Sequence, residues 1–99
     1  MTPDRNIETF TTDWQGITLS VTYEPSGRWP VAHLQVRAIR PERARLPITE
    51  TGYRSHFLDQ AELDAHGGPL AYVQAWLAAA ADSPEWREYL EESRQGSLF

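Results

Sequence analysis

The sequence predicts an α+β fold: a three- or four-stranded antiparallel sheet with C-terminal helices packed on one face. Three observations carry this. Between residues 17 and 40, two runs alternate apolar and polar side chains, the period of half-buried strands. From Asp59 onward the apolar spacing becomes helical. The strands precede the helices rather than alternating with them, the order of α+β domains.

Residues 1–6 read as a loose terminus. Ile7 to Trp14 is rich in β-branched and aromatic residues and suits a short strand, with a turn over Asp13 to Gly16. In Ile17 to Tyr23, Ile17, Leu19, Val21 and Tyr23 alternate with Thr18, Ser20 and Thr22. Pro25, Gly27 and Pro30 punctuate a turn. Val31 to Arg40 follows, with Ala32, Leu34, Val36 and Ala38 in one phase and His33, Gln35 and Arg37 in the other. The short connection makes these two strands antiparallel. The covered face is expected to carry Ile17, Leu19, Val21, Leu34 and Val36. Thr18, Ser20, His33, Gln35 and Arg37 are expected on the outer face.

Pro41 to Pro47 is a charged connector whose prolines limit helix. Ile48 to Leu58 reads as a further strand, with Thr49, Thr51, Tyr53, Ser55 and Phe57 on one face. Glu50, Arg54 and His56 take the other, and Gly52 marks a bulge or close backbone approach. Asp59-Gln60-Ala61-Glu62 resembles a capping box, with Leu58 and Leu63 as a hydrophobic staple. Gly67-Gly68 ends that short helix and Pro69 opens the next. Leu70, Val73, Leu77 and Ala80 lie at helical spacing, with Trp76 beside them. Ser83-Pro84-Glu85 starts the last helix, whose stripe is Trp86, Tyr89 and Leu90. Residues 1–94 form one domain and 95–99 a C-terminal tail.

Ninety-nine residues with eleven aromatics suit one modest core. There is no cysteine, which excludes disulfides and thiolate chemistry and fits a reducing, cytoplasmic setting. No apolar run approaches the roughly 20 residues of a membrane span. All nine basic residues are Arg, and the formal net charge is −5. Residues 28–54 carry a net charge of +4, and residues 59–92 carry −7. The overall balance argues against a general nucleic-acid binder, while a local basic face stays open.

His33, Glu50 and His56 have the ligand types of a zinc or iron site, but their spacing matches no metal motif. Two surface histidines are the plainer reading, and no metal or cofactor is expected. Ser55 and His56 are strand neighbours, so they point to opposite faces and form no nucleophile–base pair. Arg37, Arg54, Arg40, Arg43 and Arg45 would make a basic patch, with Trp29 near the hairpin tip as a stacking platform for a base. Gly67-Gly68-Pro69 lacks the longer phosphate-binding patterns.

The chain ends Gln95-Gly96-Ser97-Leu98-Phe99. This pentapeptide resembles the short motif by which bacterial replication and repair proteins dock on the DNA polymerase sliding clamp. Gln95, Ser97, Leu98 and Phe99 match; Gly96 departs, since the family often has Leu there. The resemblance implies two apolar anchors in a groove and Gln95 as a polar latch. The competing reading closes Leu98 or Phe99 on the protein's own core. Pro47 to Phe57 resembles small bacterial proteins in a way that implies no activity. The leading expectation is therefore a small non-enzymatic interaction protein docking on the clamp through its tail. The alternative is a nucleic-acid-binding module using an Arg-rich sheet face.

Overall fold

The computed structural model describes residues 7–27 and 30–96, with side chains through Ser93. Four strands, β1 (Glu8–Trp14), β2 (Ile17–Glu24), β3 (Val31–Arg40) and β4 (Tyr53–Asp59), are followed by α1 (Gln60–Ala65), α2 (Pro69–Ala81) and α3 (Pro84–Gly96). The strands lie in sequence order in one antiparallel sheet. This is the α+β architecture that the change of period foretells.

Local chemistry sets each junction. Trp14 pairs with Ile17, leaving a two-residue turn of Gln15 and Gly16, both at positive φ (48° and 83°). Such turns match the right-handed twist of a hairpin, and glycine takes the left-handed conformation without steric cost. At the start of α3 the Ser83 hydroxyl accepts from the Trp86 amide at 3.2 Å, an N-cap directly before Pro84. The capping box expected at Asp59 is not formed: Asp59 has the extended backbone usual for an N-cap but makes no side-chain cap bond. The two staple residues, Leu58 and Leu63, are both buried in the core cluster. Gln60 serves the junction instead, donating from Nε2 to the Tyr23 hydroxyl and accepting the Ser26 amide on Oε1.

The helices cover one face. Leu19, Val21, Leu34 and Val36 from the sheet are fully buried with Leu63, Val73 and Leu77 from α1 and α2, and Trp86 of α3 closes the cluster. Each such apolar side chain contributes about 1.5–3 kcal/mol. The alternation of β2 and β3 lands in the expected phase.

The stretch from Ile48 departs from expectation. The strand starts at Tyr53, not at Ile48. Leu46 and Thr49 exchange backbone hydrogen bonds in a tight turn, and Gly52 sits at φ 79°. A left-handed glycine interrupts extended backbone. Ile48 and Leu46 turn inward and are buried, so the β-branched composition reflects core packing of a loop. Helix α3 includes Gln95 and Gly96 in its backbone, two residues past the expected domain boundary. Among the described residues, no helix is long and apolar enough to cross a membrane.

Candidate functional site

Among the described residues, no helix packs on the sheet's second face. Strand register assembles it in rows: Glu24–His33–Phe57, Thr22–Gln35–Ser55 and Ser20–Arg37–Tyr53, with Thr9 and Thr11 extending the last two on β1. Phe57 is 66% exposed and Val31 41% exposed, although both belong to strands. The Phe57 ring stacks on the His33 imidazole, with centroids 4.3 Å apart and planes at 14°. His33 Nε2 is hydrogen-bonded to the Ser55 hydroxyl at 2.7 Å. The Tyr53 hydroxyl donates to Gln35 Oε1 at 3.0 Å, and the Arg37 guanidinium lies 5.1 Å above the Tyr53 ring. A shallow depression of about 240 Å³ lies between Ser20, Thr22, Gln35, Arg37 and Ile39. The face thus joins a rigid aromatic pair to a field of donors and acceptors already held in place. Arg37 and, opposite Thr18 past an irregularity in β3, Arg40 are its cations, with Asp13, Glu24 and Asp59 in the same strand phase.

The arginines expected on one face do not all share it. Arg37 points to the open side. Arg54 pairs with Val36 in the covered phase, donating to the Ile48 carbonyl at 3.2 Å and lying 5.5 Å from the Trp76 ring centre. Arg45 stacks 4.4 Å over Tyr89 and meets Glu50 at 3.8 Å. Arg40, exposed at the end of β3, pairs with Thr18 in the open-face phase, and Arg43 is exposed on the connection after it. Trp29 lies outside the described residues. His33, Glu50 and His56 are likewise dispersed: open face, connection and covered face. The informative signal was Leu58, which shares its phase with Arg54 and His56 and must face the core. Phe57, in the opposite phase, is then exposed. Ser97, Leu98 and Phe99 lie outside the described residues, as does the side chain of Gln95.

On the helix side of β4, His56 packs into an aromatic cluster. Its ring is 4.5 Å from Trp76 and 6.0 Å from Tyr72, and its Nε2 is 3.3 Å from the Tyr72 hydroxyl. His66 stands edge-on to Tyr72. Burial, and then the Arg54 charge, lower the His56 pKa below 6.5; Glu62 opposes them. Burial, and then Glu62, raise the Tyr72 pKa above 10.0. The folded protein therefore holds His56 neutral where an unfolded chain takes up a proton. Its contribution to stability is complete above pH 6.5 and is lost as pH falls through that value toward the lower folded pKa. Thermal melts from pH 7.5 to 5 should show a decline, and His56→Gln should flatten it. Equal slopes for parent and variant would remove His56 as the cause.

A family model described as the KlcB third domain matches residues 7–86. The match spans the whole sheet, α1, α2 and the first turn of α3 through Trp86. Searches of curated proteins and of solved structures found no match.

Proposed function

This chain belongs to the KlcB third-domain family, and we propose that it is a non-enzymatic interaction module binding a protein partner through the open face of its sheet. The observation that carries this is Phe57. A ring left 66% exposed on a strand adds little to the core. Stacked on His33, it is a preorganised anchor whose burial by a partner is worth about 1.5–3 kcal/mol. The polar rows beside it supply the hydrogen-bonding rim of a protein interface. A nucleic-acid backbone is a poorer fit, because affinity for phosphates comes from clustered cations. Here Arg37 and Arg40 share the phase with Asp13, Glu24 and Asp59, and the chain's net charge is −5.

Phe57→Ser should leave the melting temperature within the scatter of ordinary surface substitutions, about ±0.5 kcal/mol in stability. It should also abolish partner binding. A variant that melts several degrees lower would place Phe57 among the structural residues and end this reading.

A second contact, through the tail to a DNA polymerase sliding clamp, is favoured by the end of α3. Glu91, Glu92 and Ser93 are three successive exposed helical positions, so they look to different sides of the helix. The described side chains at this end of α3 are therefore not packed into the core. Gln95, Ser97, Leu98 and Phe99 then supply the docking peptide, with affinity on the order of micromolar. A chain ending at Gly96 should keep its stability and lose clamp binding. A full chain with no measurable clamp affinity would discard the tail contact and leave the sheet-face reading intact. The absence of cysteine fits a cytoplasmic setting for both contacts.

A further inference from the structure

Antiparallel neighbours such as β3 and β4 can be joined by two residues. Here the connection runs through 41–52 and folds out over the helix side of the sheet. Leu46 and Ile48 anchor it in the core. Between its 45–50 segment and the α2–α3 junction lies a cleft of about 430 Å³, a volume within the range of ligand sites. Pro47, Ile48, Ala80 and Trp86 give it apolar walls, and Glu50 and Glu85 are carboxylates at its margin. Trp86 is 5% exposed, and its indole Nε1–H is buried without an acceptor among the described residues. A buried donor left without a partner is uncommon in folded proteins.

We propose that this cleft binds an extended segment of a partner protein that carries an apolar side chain next to a lysine or arginine. The segment would lie along the apolar wall that Trp86 helps to form. Its apolar side chain would lie against Pro47 and Ile48, and its cation would meet Glu50 and Glu85. Charge selects this occupant over an anion. The cleft's own cation, Arg45, lies over the Tyr89 ring and 3.8 Å from Glu50, so two carboxylates stand against one guanidinium and the balance at the cleft is acidic. The Ser83 hydroxyl at the start of α3 already accepts from Trp86 N, and two carboxylates repel a phosphate. The cleft is on the opposite side of the sheet from Phe57, so the two surfaces can be tested apart.

The test is selection from a displayed library of random nonapeptides on the full chain, followed by titration of the enriched peptides. Enriched sequences should place Lys or Arg within two residues of Leu, Ile or Pro. The Glu50→Gln, Glu85→Gln double variant should bind them on the order of tenfold more weakly. Both positions are exposed, so the fold should be unaffected. Phe57→Ser should bind them like the parent. In NMR spectra the Trp86 indole N–H resonance, assigned by its loss in Trp86→Phe, should shift on saturation. No enrichment, a preference for acidic peptides, or binding indifferent to the two glutamates would overturn the proposal. So would dependence on Phe57 alone, which would move the peptides to the sheet face.

Discussion

Leu34→Ala should lower the unfolding free energy by about 2–5 kcal/mol. Leu34 is fully buried on β3, an inner strand, with Tyr23 and His56 opposite it on the flanking strands. The sheet is paired on both sides of this residue and roofed by helices, so the cavity cannot close by a small local shift. Denaturant melts should show a lower midpoint with an unchanged slope. Leu90→Ala, on the 37% exposed end of the α3 stripe, should cost much less. Equal midpoints for parent and Leu34→Ala would contradict the core assignment.

Gly52→Ala should be comparably severe for a different reason. At φ 79°, an added Cβ would lie 2.6 Å from the backbone Cα and C of Arg43 and 2.9 Å from the Ala44 carbonyl oxygen. Backbone cannot move aside as a flexible side chain can. The Gly52 carbonyl also accepts from the Ala38 amide at 2.8 Å, which ties the connection to β3. Left-handed strain of about 1–2 kcal/mol adds to an overpacking cost of about 1–3 kcal/mol. Gly16→Ala is the control. It has a similar φ of 83° but open space around the added carbon, so it should cost only the strain. If both variants lost stability equally, the close approach of Arg43 and Ala44 would not be real.

These two residues mark how far the fold was legible. Leu34 could be placed because β2 and β3 alternate without interruption, and period alone sets which side is buried. Gly52 was singled out as a bulge or close approach, which it is. Its consequence, the end of extended backbone from Ile48, was not legible, because Ile48 and Thr49 have strand propensity whether or not they pair. The antiparallel pairing of β2 with β3 and the helix start at Ser83 followed from local chemistry, while the order of all four strands did not. The site was harder to read. Arg37 and Arg54 are both strand arginines, and only the phase of Leu58 shows that they face opposite sides. Trp86 at helical spacing reads as core, and it is. That Trp86 also lines a cleft depends on the path of the 41–52 connection, which no local pattern encodes.

The central claim is that the open face around Phe57 meets a protein. Replacing Phe57 with photoreactive benzoylphenylalanine, and irradiating cells that express the chain, tests it directly. The account predicts one dominant adduct with an identified protein, reduced by Val31→Ser and absent when the photoreactive group stands at Glu91 on α3. No adduct from position 57, or the same set of adducts from positions 57 and 91, would contradict it.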